Sequence, residues 1–483
     1  GIRQKIEEEI LKPGDKMPAT RALAKTLGVH RTTVYRAYEE LWSLGYIQGT
    51  PGSYTFVRQR MERVTTPQPD TPATLTTHQW QELSNPPSRD VHHVYTQLKP
   101  EVVTFPTDLP ESEIINFSSL NMDGRLIPAD AFRRCMNTVL REKREKILSY
   151  CQYAGYRPLR EFIAQRLASH GVNVTADEVL ITNGSQNAID LILRMLVYKD
   201  RPVIVESPSY SLIFPLLNLH NVPVRSVPMT DEGMDLDVLA ELLDREPASL
   251  VYTMPNFQNP TGTTTDQAHR ERLLALCQKH NVPLVEDGFE EEMKYFGNVT
   301  LPIKSMDTTG LVIYVGTFSK VLMPGLRIGW LAASRDCTER LTAIKRFTDL
   351  STSYLTQAAL HAFCCQELYE LHIRRMHRIF RKRMNTALDA MATHLDIPNV
   401  EYTKPKGGYL SWVRLKNLDL PWQTVNAEFH RRGIVVSPGE FYFWGEAPEN
   451  CFRVSFAILD EPTIATGIER LGMAIRTLYG ENQ

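Results

Sequence analysis

Little in this chain could staple it or anchor it. Its seven cysteines (Cys135, Cys151, Cys277, Cys337, Cys364, Cys365 and Cys451) are odd in number, scattered and without a CxxC pair. That spacing argues against a disulfide framework and against a structural zinc site, and no metal is expected. It suits small buried hydrophobes in a reducing cytoplasm. No apolar run approaches the roughly 18–20 residues that cross a bilayer, so no membrane contact is expected, and no signal peptide is visible. No internal repeat is present. Strong net charge is lacking too. The formal value is −2, with 42% hydrophobic and 23% charged residues, which excludes wholesale disorder and collagen-like or coiled-coil chains. The chain opens on Gly1 inside a helical pattern, so a few residues are expected to precede it.

What is there divides by composition. The 483 residues suffice for two to four folding units at roughly 100–200 residues each. Residues 1–60 hold ten Lys or Arg against six Asp or Glu, so this head carries +4 and the rest −6. A basic head on an acidic body points to an anionic partner for the head. Residues 61–112 are rich in Pro, Thr and Ser and read as an extended, partly stiff linker. Over 113–483, short β-branched runs alternate with amphipathic stretches; examples are Val203–Glu206, Leu250–Thr253, Pro283–Glu286 and Leu311–Val315. This alternation predicts a mostly parallel α/β sheet.

In the head, Ile2, Ile6, Ile10 and Leu11 share one helical face, and Pro13-Gly14 ends that helix. Thr20 is a candidate N-cap for a short helix to Leu27, and Gly28 turns the chain into a second helix from about His30 to Leu44. Val34, Ala37, Tyr38 and Leu41 are its core side. His30, Arg31, Thr32 and Thr33 fill its first turn, where a recognition helix meets base edges. Two short strands around Gly49–Ser53 then form a wing. The stretch PGDKMPATRALAKTLGVHRTTVYRAYEELWSLGYI (residues 13–47) resembles the winged helix of the GntR family of bacterial transcription factors. The resemblance implies double-stranded DNA as partner and contacts from Arg21, Arg31, Thr32, Thr33 and the wing glycine Gly52; His30 is a DNA-binding candidate from its place in the same first turn. Arginines suit guanine edges or phosphates, and threonines suit phosphates or bases.

In the body, Tyr314–Gly329 sets Lys320 beside the hydroxyls of Thr317 and Ser319, with Arg327 seven residues on. A lysine so placed suits a Schiff base with an aldehyde. Hydroxyls with an arginine suit a phosphate dianion. A lone Ser-x-Lys is usually a surface lysine, but four further elements accompany this one. Thr182–Asn187 lies between a strand and a helix, where Gly184, Ser185 and Gln186 can offer backbone N–H groups to phosphate. Glu206–Tyr210 brings an aromatic ring, Tyr210. Pro255–Gly262 brings an amide donor, Asn259. Val285–Glu291 brings Asp287, a carboxylate able to pair with a protonated ring nitrogen and keep the ring an electron sink.

These five elements in this order resemble the fold type I, pyridoxal-phosphate-dependent aminotransferases of the aspartate aminotransferase class, over about residues 113–483. The resemblance implies an α/β large domain with a small C-terminal α/β subdomain and pyridoxal 5'-phosphate as cofactor. It assigns Lys320 to the Schiff base, Asp287 to the ring nitrogen, Asn259 to the phenolic oxygen and Tyr210 to the ring face. Gly184, Ser185, Gln186, Thr317, Ser319 and Arg327 would surround the phosphate. Tyr150 would reach the neighbouring subunit's phosphate, and Arg453 would clamp an effector's α-carboxylate. One departure stands out: Phe289 occupies a position that is usually tyrosine. The cofactor's phenolic oxygen should therefore have one donor fewer and the Schiff base a raised pKa, which puts efficient transamination in doubt.

The two halves together resemble the MocR/GabR subfamily of bacterial regulators. That resemblance implies a cytoplasmic homodimer, head-to-tail, whose body senses an amine, an amino acid or pyridoxal phosphate itself through Lys320. It implies a regulator rather than an enzyme, with at most partial transaminase activity. Two other readings remain: a working aminotransferase with a DNA-binding head, and a dimerisation scaffold without cofactor. Lys320, Asp287, Asn259 and Arg327 speak against the scaffold.

Overall fold

The computed structural model describes residues 2–49, 54–59, 84–97, 110, 113–289, 292–296 and 300–480. The chain divides into two units, Gly1–Trp80 and Gln81–Gln483.

The first unit contains α1 (Ile2–Glu7), α2 (Thr20–Leu27), α3 (Arg31–Ser43), β1 (Ile47–Gln48) and β2 (Phe56–Val57). Val34, Tyr38 and Leu41 line one face of α3 and are buried with Met17, Ala24, Tyr46, Ile47 and Val57. Tyr38 also donates its hydroxyl to Pro18 O at 2.8 Å. Gly28 takes φ 65° and its N–H bonds Ala24 O, so α2 ends in the left-handed turn that glycine adopts most readily. Thr20 begins α2 rather than capping it; Ala19 stands at the cap and offers no side-chain bond. α3 is capped by His30, whose Nδ1 accepts from Thr32 N at 3.4 Å and lies 2.8 Å from Thr32 Oγ1. β1 and β2 pair antiparallel, Ile47 opposite Val57. Gly52 lies outside the described residues.

The stretch read as an extended linker departs from that expectation where it is described. Pro86–Gln97 is a helix, α4. The Asn85 side chain accepts from Ser88 N at 3.0 Å, and Pro86-Pro87 fall in the first turn, where the missing N–H groups have no helical partner to lose. Val91 and Val94 are partly buried, and α4 lies against the helix Ile213–Leu219. The apolar side chains outweigh the proline content. The remainder of 61–112 falls outside the described residues, apart from residue 110.

The body's large sheet runs β4 (Val179–Thr182), β11 (Gly329–Ala332), β10 (Val312–Thr317), β9 (Leu284–Asp287), β8 (Leu250–Thr253), β5 (Val203–Ser207), β6 (Val224–Thr230), β7 (Gly233–Met234). β10, β9, β8, β5 and β6 are parallel. β11 is antiparallel to both β10 and β4, and β7 to β6. Every residue of β4, β8, β9 and β10 is buried, as a parallel sheet covered on both faces requires. The parallel strands end together, which opens a crevice at their carboxyl ends. A smaller antiparallel sheet follows: β12 (Val400–Tyr402), β13 (Leu410–Leu415), β16 (Asn450–Ser455), β15 (Ser437–Pro438). The helices Leu368–His394 and Glu461–Leu478 pack together in the core that this sheet shares. Near the body's start, β3 (Ile115–Asn116) pairs in parallel with β14 (Ile434–Val435). That pairing carries residues 117–126 to the crevice. No helix of the described residues is long and apolar enough to cross a membrane.

Candidate functional site

Four strand ends build the crevice. At the end of β9, Asp287 is 3% exposed. Its Oδ2 accepts the Tyr252 hydroxyl at 2.6 Å, while Oδ1 has no hydrogen-bond partner among the described residues. Burial pushes its carboxyl up to about 6, against bonds from Tyr252 and the Phe289 N–H that favour the anion. Beyond β10, Thr317 Oγ1 accepts from Ser319 N at 3.1 Å, and Lys320 Nζ donates to Leu120 O at 3.3 Å. The Ser319 hydroxyl is buried without a partner among the described residues.

Beyond β4 the chain forms a cradle. Thr182 Oγ1 donates to Gly184 O at 2.9 Å, and Gly184, at φ 87°, leads into the helix Ser185–Leu196. The first N–H groups of that helix have no partner within the helix itself and can meet an anion. A Cβ on Gly184 would lie 2.5 Å from an Arg327 Nη, so only glycine lets this arginine close over the turn. Arg327 in turn donates to Asn183 O at 3.2 Å. Gln186 donates to Leu212 O at 3.1 Å, with its Oε1 unpartnered among the described residues.

Beyond β8, the loop with Asn259 is held from two sides. Glu206, fully enclosed at the end of β5, accepts from Thr253 Oγ1 (2.5 Å), Met254 N (3.1 Å) and Gln258 Nε2 (3.0 Å). Burial still pushes its carboxyl up to about 6. From the other side, buried Arg270 donates to Thr265 Oγ1 (2.9 Å), Pro255 O (3.1 Å) and Asn256 Oδ1 (2.6 Å).

From the smaller sheet, Arg453 on β16 donates to Asn259 Oδ1 at 3.0 Å and to Ser118 O at 2.6 Å, and its guanidinium carbon sits 5.3 Å from the Tyr442 ring centroid. Its Nε is buried without a partner among the described residues. The segment supplying the Ser118 and Leu120 carbonyls is pinned by Asp123, which accepts from Arg383 at 2.6 Å and from Arg125 at 2.9 Å. Burial would raise the Asp123 carboxyl, but Arg125 and Arg383 hold it at about 2. Tyr210 completes the crevice: burial and the Asp287 charge push its phenol up, while Arg327 and Arg453 pull it down.

The structure thus brings Gly184, Ser185, Gln186, Tyr210, Asn259, Asp287, Thr317, Ser319, Lys320, Arg327 and Arg453 to one crevice. Tyr150 stands outside it, 78% exposed. Phe289 is buried beside Asp287. In the head, Arg21, His30, Arg31, Thr32 and Thr33 are all exposed. Sequence reasoning gave no role to Tyr252, Glu206, Gln258 or Arg270. Glu206 carried the clearest signal, a carboxylate inside an apolar strand run.

Comparison with known proteins agrees with this geometry. The family model described as Aminotransferase class I and II matches residues 112–471, and that of Bacterial regulatory proteins, gntR family, matches residues 1–57. The chain is 34% identical over 386 residues to the 2-aminoadipate transaminase of Thermus thermophilus, covering 79% of this chain and 91% of that protein. It is 29% identical over 482 residues to the HTH-type transcriptional regulator YisV of Bacillus subtilis, covering 99% and 96%. Among solved structures, LysN, the α-aminoadipate aminotransferase of Thermus thermophilus complexed with N-(5'-phosphopyridoxyl)-L-leucine, aligns with a TM-score of 0.74 and 32% identity, over 83% of this chain and 99% of that one.

Proposed function

Because the chain belongs to the aminotransferase class I and II family and carries a gntR-family winged helix ahead of it, an arrangement that fits the MocR/GabR type, we propose that it is a DNA-binding transcription regulator whose body senses a small amine, an amino acid or pyridoxal phosphate itself. The observation that carries this reading is the union in one chain of a crevice whose residues fit the cofactor with an exposed recognition-helix turn. Full-length similarity to HTH-type regulators supports it.

Pyridoxal phosphate is the cofactor of this family, and the residues present fit it. Asp287 Oδ1 and the Ser319 hydroxyl lack partners among the described residues, and the Gly184 cradle leaves no room for a side chain. When bound, the group supplies an aldehyde for amines and a ring that draws electrons. Lys320 would meet the aldehyde through Nζ. Asp287 would keep a proton on the ring nitrogen, Asn259 would donate to the phenolic oxygen, and Tyr210 would cover the ring face. Gly184, Ser185, Gln186, Thr317, Ser319 and Arg327 would hold the phosphate.

An effector bearing both amine and carboxylate would engage Lys320 and Arg453 together. Lys320 follows β10 of the large sheet and Arg453 lies on β16 of the smaller one, so occupancy would bias how the two parts of the body are held. We assign the exposed Tyr150 to the phosphate of a partner subunit in a head-to-tail homodimer. Arg21, His30, Arg31, Thr32, Thr33 and Gly52 are assigned to DNA, which places the protein's work in the bacterial cytoplasm.

A second reading, a working aminotransferase with a DNA-binding head, is favoured by the 34% identity to a transaminase. The visible spectrum of the purified protein separates the two. It should show a band that Lys320→Ala abolishes, and one or more amines or amino acids should shift it without turnover. Sustained turnover with a keto acid would favour the transaminase. No band after addition of pyridoxal phosphate would overturn both.

A further inference from the structure

Tyr252 lies one residue before the end of β8, directly opposite Val285 of the neighbouring parallel strand β9. From there its side chain reaches the end of β9, where its hydroxyl donates to Asp287 Oδ2 at 2.6 Å. The tyrosine is 1% exposed and the aspartate 3%. The two carboxylate oxygens are therefore unequal: Oδ2 carries the phenol, and Oδ1 is buried without a partner among the described residues. A buried carboxylate with no donor tends to keep its own proton. A neutral acid would be a poor mate for a ring nitrogen that must itself stay protonated. A phenol aimed at one oxygen stabilises the anion and fixes the carboxylate's rotation. The phenol can do this over the whole working range, because burial and the Asp287 charge push its own ionisation far above neutral pH.

We propose that Tyr252 is a positioning residue for the cofactor's ring nitrogen: by donating to Asp287 Oδ2, it keeps that carboxylate ionised and turns Oδ1 toward the nitrogen. The inference rests on pyridoxal phosphate as cofactor and holds whether the body senses or catalyses.

A ligand pair isolates the contact. Pyridoxal phosphate and its 1-deaza analogue, with CH in place of the ring nitrogen, share the aldehyde, the phenol and the phosphate. Lys320 and the phosphate cradle therefore cancel in the ratio of their affinities. Equilibrium binding of both to the full-length protein and to Tyr252→Phe is the measurement. A hydrogen bond to a charged group is worth about tenfold or more in an equilibrium constant. Tyr252→Phe should thus weaken pyridoxal phosphate by about tenfold and leave the analogue within about twofold. Equal weakening of both, or of neither, overturns the proposal, since a merely structural tyrosine does not distinguish them. Should Tyr252→Phe not fold, Tyr252→Met, apolar and without a donor, takes its place. A ratio fallen about tenfold supports the proposal, and a ratio kept at the wild-type value overturns it. Wild-type protein that binds neither ligand would instead remove the cofactor reading itself, a distinct outcome.

Discussion

Arg453 Nη1 donates to Asn259 Oδ1 at 3.0 Å, joining β16 of the smaller sheet to the loop beyond β8 of the large one. A guanidinium has no acceptor, so this contact settles which way the Asn259 amide faces. Its oxygen turns to Arg453, and its NH2 faces away, as the proposed contact with the cofactor's phenolic oxygen requires. The residue proposed to meet an effector and the residue proposed to meet the cofactor are thus bonded to each other.

Arg453→Ala should therefore discriminate between ligands. Loss of a bidentate, charge-assisted clamp costs about 2–3 kcal/mol, or roughly 30-fold to 160-fold in affinity. An amino acid that shifts the visible band should lose this much, while the amine lacking its carboxylate stays within about threefold. Spectral titration of both ligands decides. Equal losses would mean that Arg453 serves only to orient Asn259.

Phe289 gives a second, independent readout. It is buried immediately beyond Asp287-Gly288, and it carries no hydroxyl for the phenolic oxygen. Phe289→Tyr restores a donor to the anionic form, and a donor to a charged form lowers its pKa. The pH titration of the holoprotein's visible band should move downward by about one pH unit. A midpoint that does not move would show that residue 289 is out of reach of that oxygen.

The head makes its own prediction. Arg31 is exposed in the first turn of α3, beside the His30 ring that caps the helix. A base-edge contact at this position is worth about 1–3 kcal/mol. Arg31→Ala should lose that much on the operator and little on unrelated DNA of the same length. Uniform loss on both, with a salt slope reduced by about 1, would reassign Arg31 to a phosphate.

Much of this was legible in the sequence because the chemistry requires particular side chains at strand ends. Lys320, Asp287, Asn259 and Gly184 each terminate or follow a strand or turn, and turn residues leave strong sequence marks. Three things left no such mark. The Ser118 and Leu120 acceptors are backbone carbonyls, which any residue possesses. Tyr252 sits in an apolar run, where a tyrosine reads as core. Pro86-Pro87 reads as a linker signal, although proline at a helix start is favourable and Val91 and Val94 supply an apolar face. Only tertiary packing distinguishes these cases.

Two buried carboxyls give the cofactor-free protein an unusual pH dependence. Burial raises Glu206 from 4.5 to about 6 and Asp287 from 3.8 to about 6. A folded state that holds protons more tightly than the unfolded state loses stability as pH rises between the two pKa values. Both groups should thus destabilise the fold as pH climbs from about 4 to about 6, and the loss should level off above that. Asp123, held at about 2, works the other way: its contribution is present above its ordinary pKa and is lost only as pH falls. A difference measurement removes it. Glu206→Gln keeps one acceptor for Thr253 and Met254 but gives up the bond from Gln258, so the variant starts less stable in acid. As pH rises, the wild type alone must ionise this site, which costs about 2 kcal/mol. The melting temperature of Glu206→Gln should therefore gain on that of the wild type between pH 4.5 and 7. Parallel melting curves over that range would mean that Glu206 is ionised as easily in the folded chain as in the unfolded one.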